Sequence, residues 1–303
     1  MARPKKSIYS ALISNILIAI IKFVAGGISN SAAMIAEGVH SLVDTVNELL
    51  LLYGIKQSRK PPDADRPFGY GKDLYFWSFI VSILIFGLGG GVSIYQGWAH
   101  IRHPAEVGNP FWNYVVIGFS IVFEGISFFI ASKEFGRVKG EQGWWAAIKR
   151  SKDPTSFLVL FEDGAAVLGL LIVLLCLWLG QVLHNPYLDG VASCLVGLLL
   201  VAVSIILARE SRSLLMGEGI APETHKKIQR MVEADPAVVK LMHLLSNYQS
   251  PETVVLMMIV AFKKELGTVQ IDQAIERIRD HIKKAFPLIR FILVQPDVYE
   301  EKL

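Results

Sequence analysis

The sequence has few of the residues that would make it soluble or cross-linked. Only 19% of its 303 residues are charged, against roughly 25% in ordinary soluble domains, and it holds just two cysteines, Cys176 and Cys194. Both lie in apolar runs with no CxxC spacing, so neither a disulfide scaffold nor a thiolate zinc knuckle is on offer. The excess of positive over negative charge is also small. A net charge of +3 is too small to argue for nucleic acid. No P-loop, dinucleotide fingerprint or nucleophile–base arrangement appears, which argues against an enzyme and against an organic cofactor.

What is abundant is apolar sequence, 52% of residues, gathered into long blocks. A membrane-spanning helix needs about 20 apolar residues. Blocks of that kind cover roughly 8–28, 32–54, 75–97, 111–131, 155–181 and 187–208, which predicts six transmembrane helices. Lysine and arginine set their direction. Arg3, Lys5 and Lys6, the segment after the second block (Lys56, Arg59, Lys60, Arg66, Lys72) and the segment after the fourth (Lys133, Arg137, Lys139, Lys149, Arg150, Lys152) fall on one side. The other side has only Arg102, so both termini are expected in the cytoplasm. Trp98, Trp112 and Tyr187 stand at block ends, where interfacial aromatics belong. Trp144-Trp145 beside Lys149 and Arg150 reads as an interfacial turn.

From Ser213 the pattern changes. Helical spacing at 222–233 and 269–285 and strand-like runs near 238–246, 253–262 and 289–295 predict a small two-layer α+β domain. The expected division is a transport domain over 1–212 and a cytoplasmic domain over 213–303.

Ionisable residues inside spanning helices are costly and mark function by default. The second block carries Glu37, His40, Asp44, Asn47 and Glu48. His40 and Asp44, four apart, share a face about 6 Å apart along the axis. An imidazole and a carboxylate so placed can grip a small divalent cation, and that donor pair suits zinc. The fifth block adds adjacent Glu162 and Asp163, which point about 100° apart. Asp163 completes three ligands from two helices, and the fourth position is open to Glu162, water or another residue. Weaker features read as structural. Lys22 can snorkel, Asn15 can bond a neighbouring helix, Gly87 and Gly89–Gly91 permit close packing or local bending, and Asp189 suits a cap or the first turn of the sixth helix. Glu124 is an isolated candidate for proton movement.

These residues carry a resemblance. Ser31-Ala-Ala-Met-Ile-Ala-Glu37-Gly-Val-His40-Ser-Leu-Val-Asp44 resembles the second helix of the cation diffusion facilitator family. Pro67-Phe-Gly-Tyr-Gly-Lys72 is similar to the signature before its third helix. Asp189-Gly-Val-Ala-Ser193 and Glu210-Ser-Arg-Ser-Leu-Leu215 are similar to its sixth helix and exit. The Glu162-Asp163 pair resembles the branch that includes an animal mitochondrial zinc exporter.

The resemblance implies a homodimeric antiporter that exports Zn²⁺ from the cytoplasm in exchange for protons, with a ferredoxin-like cytoplasmic domain that helps dimerise. It implies metal ligation and proton coupling at His40, Asp44 and Asp163, and leaves Glu162 as a further ligand, since Val159 stands where the family usually has one. A bacterial inner membrane is the expected location. Asp63, Arg66 and Tyr70 fall where some members hold a second metal, so that site is expected to be lost, and a zinc pair in the C-terminal domain is not expected from His225, His243, His281 and Asp297. The alternatives are the same architecture carrying Mn²⁺, Fe²⁺ or Co²⁺, and a membrane metal sensor or scaffold that transports nothing.

Overall fold

The computed structural model describes residues 5–104, 111–141 and 143–298, with side chains of the first helix described from Asn15 onward. Arg3 of the positive-side set lies outside the described residues, as do the side chains of Lys5 and Lys6. The chain forms two compact units, one of 1–56 and 76–212, the other of 57–75 and 213–303. The segment 57–75 therefore groups with the C-terminal part of the chain, which a single division at 212/213 does not provide.

The first unit is helical. Its elements are α1 (Lys5–Ser29), α2 (Ala32–Ser58), α3 (Asp73–Leu84), a π-helical segment (Ile85–Gly91), α4 (Val92–Arg102), α5 (Phe111–Lys139), the short α6 (Trp144–Arg150), α7 (Pro154–Val182) and α8 (Tyr187–Met216). Four stretches are long and apolar enough to cross a bilayer: Asp73–Arg102, Phe111–Arg137, Pro154–Val182 and Tyr187–Met216. The described part of α1 gives a shorter apolar helix, Asn15–Ser29. α2 is long enough, but its polar stripe keeps it out of that set.

Local chemistry explains the boundaries. Pro154 takes the first position of α7, where a missing N–H costs nothing. The preceding Asp153 caps the helix, accepting from the Thr155 N–H at 3.1 Å and from the hydroxyls of Thr155 and Ser156. Between α1 and α2 only two residues intervene, and Asn30 makes the turn with φ of +54°.

The third span is not one regular helix, as its apolar run predicted. Its centre, Ile-Phe-Gly-Leu-Gly-Gly-Gly over 85–91, widens into a π-helix. Glycines also let α4 and α8 touch backbone to backbone. A Cβ on Gly97 would stand 2.6 Å from the Gly190 carbonyl oxygen, and one on Gly197 would stand 2.8 Å from the Ile94 nitrogen. Ser193 Oγ donates across the same contact to the Ser93 carbonyl at 2.8 Å.

Burial in this unit inverts the soluble pattern. Phe119, Phe123 and Phe129 of α5, Leu168, Leu175 and Trp178 of α7 and Leu198 and Ile205 of α8 face outward. Lys22, Glu37, His40 and Asn47 face inward. That is the arrangement of a protein whose solvent is lipid.

The second unit is α+β. α9 (Pro222–Glu233), β1 (Val238–Ser250), β2 (Thr253–Phe262), α10 (Thr268–Ala285) and β3 (Ile289–Val298) build a three-stranded sheet in the order β1-β2-β3. β1 and β2 run antiparallel, while β2 and β3 run parallel across the α10 crossover. Ala274, Ile278 and Ile282 recur every four residues on α10 and pack with Ile228 and Val232 of α9 over Leu256, Val260 and Ile292. β1 and β3 run a few residues past the expected strand ends, because backbone pairing continues through polar sequence.

The segment 57–75 packs within this unit. Phe68 meets Phe291 of β3 edge to face at 5.6 Å, and a Cβ on Gly71 would come 2.5 Å from the Gln249 carbonyl oxygen. Inside the segment Asp63 accepts from the Arg66 N–H at 2.8 Å and from the Tyr70 hydroxyl at 2.6 Å. The Tyr70 bond, the larger effect, and the Arg66 amide hold the Asp63 carboxyl below its usual range. Arg66 lies over the Tyr70 ring at 4.5 Å and pairs with Asp73. Asp63, Arg66 and Tyr70 thus satisfy one another.

Candidate functional site

The polar groups of the helical unit lie along α2. From Glu37 to Glu48 they span about 16 Å of helix rise. At the start of α2, Asp189 of α8 accepts from Ser31 Oγ and the Ala32 N–H, each at 2.5 Å, and from the Ala33 N–H at 3.3 Å. His100 of α4 stands 3.7 Å from the same carboxylate. Asp189 therefore caps the N-terminus of α2 across the unit, rather than serving only the first turn of its own helix.

The next level joins α1 to α2. Lys22 Nζ is 3.2 Å from Glu37 Oε2 and 2.8 Å from Ser41 Oγ, and the side chains of Lys22 and Glu37 are 0% exposed. The snorkelling expected of Lys22 is overturned. A buried carboxylate within reach gives the ammonium a better partner than the headgroup region does.

One turn along, His40 Nδ1 stands 3.4 Å from Asp44 Oδ1, with His40 2% exposed. The pair is close but misaligned for a hydrogen bond. Both nitrogens of His40 and Asp44 Oδ1 are buried without a hydrogen-bond partner. Such groups are rare in folded proteins and call for an explanation.

Further along, Asn47 Nδ2 donates to Glu162 Oε1 of α7 at 2.9 Å, and Asn15 Nδ2 of α1 reaches Glu48 Oε2 at 3.4 Å. Asp163 turns to α5, where Ser127 Oγ donates to its Oδ2 at 2.7 Å.

Of the residues expected to ligate metal, the structure brings His40 and Asp44 together and sets Glu162 against Asn47 of the same helix. Asp163 is on the adjoining face of α7, as the 100° separation requires. Glu162 and Asp163 both act electrostatically on Asp44. Among the described residues no group of three or more His, Cys, Asp and Glu side chains is close enough to hold a metal ion. Sequence reasoning missed the Lys22–Glu37–Ser41 cluster and the role of Asp189. The first had a signal: two opposite charges at similar depth on helices joined by a two-residue turn.

The profile of the cation efflux transmembrane domain matches residues 8–216. The chain belongs to the cation efflux family. Its relatives include the mitochondrial proton-coupled zinc antiporter SLC30A9 of Xenopus laevis, 35% identical over 240 residues, which are 78% of this chain and 43% of that protein. Metal tolerance protein C4 of Arabidopsis thaliana is 34% identical over 249 residues, 82% of this chain and 54% of that one. The manganese efflux system protein MneP of Bacillus subtilis is 26% identical over 297 residues, 96% of this chain and 95% of that one. The chain spans about half or less of the SLC30A9 and metal tolerance relatives. This cation efflux protein thus carries on α2 and α7 the polar groups that its sequence singled out.

Proposed function

We propose that this protein exports divalent metal cations, Zn²⁺ foremost, across a membrane in exchange for protons, with His40, Asp44 and Asp163 as ligands and Glu162 beside them. The carrying observation is the buried His40–Asp44 pair, whose nitrogens and Oδ1 have no partner in the protein although polar groups above and below are bonded. Two carboxylates and a neutral imidazole nearly cancel the charge of a divalent cation, which lowers the cost of holding it in a low-dielectric interior. Because the ligands bind metal in their deprotonated forms, cargo entry releases protons and protons from the far side expel cargo. Imidazole is suited to that exchange, its ordinary pKa lying near 6.5. Closing the site requires α2 and α7 to bring Asp163 toward Asp44, a rearrangement that fits alternating access between helix groups.

In this reading α1 and α2 join the four apolar stretches as six spans, both termini lie in a bacterial cytoplasm, and residues 213–303 form a ferredoxin-like domain. A homodimer is supported by the sheet face opposite the helices. There Leu245, Met257 and Leu293, cross-strand neighbours by register, stand exposed in a row.

The test is zinc and proton flux in proteoliposomes. Asp44→Ala and Asp163→Ala are expected to abolish both, with folding and oligomeric state kept. Wild-type flux in the two variants would remove this site. A second reading, manganese as cargo, is favoured by the MneP similarity over nearly the whole of both chains and by the oxygen-rich neighbourhood of Asp44. Competition between Zn²⁺ and Mn²⁺ in the same flux assay separates the two.

A further inference from the structure

The transport reading leaves one buried charge without a task. Lys22 is fully enclosed and bonded to Glu37 Oε2 and to the hydroxyl of Ser41, the residue after His40 on α2. The other oxygen of Glu37 has no hydrogen-bond partner and faces α7, where a Cβ on Gly169 would stand 2.9 Å from it. Glu37 thus sits between α1 and α7 three residues before His40, where an unneutralised carboxylate would be a third anionic ligand, and a fourth ligand in all, for any cation held by α2 and α7.

We propose that Lys22 is a tethered counter-ion of the transport site: a positive charge fixed to α1 that neutralises Glu37, keeps that carboxylate out of the ligand set, and opposes each arriving cation so that the cargo is held loosely enough to leave. The proposal rests on His40 and Asp44 being cargo ligands. Its prediction concerns affinity and release rather than the existence of the site. Without the ammonium, Glu37 adds a charge and a ligand, so binding tightens and turnover slows. With Glu37 neutral and Lys22 kept, the ammonium is uncompensated and binding weakens.

The experiment measures Zn²⁺ affinity by titration calorimetry on the purified full chain and zinc flux in proteoliposomes at fixed pH and ionic strength. Lys22→Gln is expected to lower the dissociation constant about tenfold or more and to lower kcat along with KM. Lys22→Arg should stay near wild type. Glu37→Gln should bind about tenfold more weakly, and Lys22→Gln/Glu37→Gln should recover wild-type affinity or better.

Unchanged affinity in Lys22→Gln would overturn the proposal. If that variant does not fold, the comparison of Glu37→Gln with the double variant decides. Tighter binding in the double variant supports the tethered charge, and equal binding overturns it. Asp44→Ala run in parallel keeps the two readings apart. Zinc binding that survives Asp44→Ala removes the site itself. Binding lost in Asp44→Ala but indifferent to Lys22 removes this inference alone.

Discussion

Asp189 takes three donors from a helix to which it does not belong, and its loss should be felt there. Asp189→Ala leaves the Ala32 and Ala33 amides and the Ser31 hydroxyl at the start of α2 buried without an acceptor. A cost of about 1–3 kcal/mol follows from stranded donors of this kind, read as a lowered melting temperature in detergent, with Asp189→Asn falling less. A second carboxylate gives a pH dependence. Burial opposes ionisation of Asp235, but the Arg277 guanidinium at 3.1 Å and the Ala237 amide outweigh it and hold its pKa below the ordinary value. A depressed pKa stabilises fully above the unfolded value near 4 and less as pH falls through the folded one. The melting-temperature gap between wild type and Asp235→Asn should therefore be largest near neutrality and close in acid. His40, Asp44, Glu162 and Asp163 were legible in the sequence because an acid or imidazole in an apolar run is conspicuous. Their partners were not. Nothing in the spacing of α7 tells that Asp163 turns to Ser127 while Glu162 takes Asn47, since that choice depends on how α5, α7 and α2 rotate against each other.

At the scale of elements, the glycines of α4 and α8 are all in close contact, while Gly118 of α5 stands in the open. Gly97→Leu would drive a side chain into the Gly190 carbonyl and the Cys194 backbone, which cannot swing aside as a side chain can. A loss of about 1–3 kcal/mol is expected from such overpacking, measured by thermal or denaturant unfolding in detergent. Gly118→Ala on α5, where a Cβ meets nothing within 4 Å, should be neutral or slightly stabilising. The sequence told where helices begin and end through caps and prolines, as at Asp153-Pro154. It did not tell that the third span widens to a π-helix. A glycine run permits that geometry without requiring it, and the neighbouring helix decides. The strands were legible because Thr253–Phe262 is rich in β-branched residues bounded by Pro251 and by Lys263-Lys264. The extra length of β1 and β3 comes from ladder bonds, which polar residues make as well as apolar ones.

For the whole molecule, the segment 57–75 is the part least legible in sequence, because polar residues between two spans read as a plain loop. It is held by Phe68 against Phe291 and by the close approach of Gly71 to Gln249. Gly71→Val should dislodge it, and tryptic cleavage after Arg59 or Lys72, the basic residues of the segment not followed by proline, should quicken severalfold on a gel time course, while Phe68→Ala should do so less. The tight turn between α1 and α2 has a consequence for how the protein is made. A lone α2 would present Glu37, His40, Asp44 and Glu48 to the hydrocarbon, where each charge at the helix centre costs about 2.5–3.5 kcal/mol on insertion scales. Only two residues separate it from α1, which brings Lys22 to Glu37 and Asn15 to Glu48. A hairpin of the two helices covers part of that charge, so α2 enters the bilayer more cheaply together with α1 than alone.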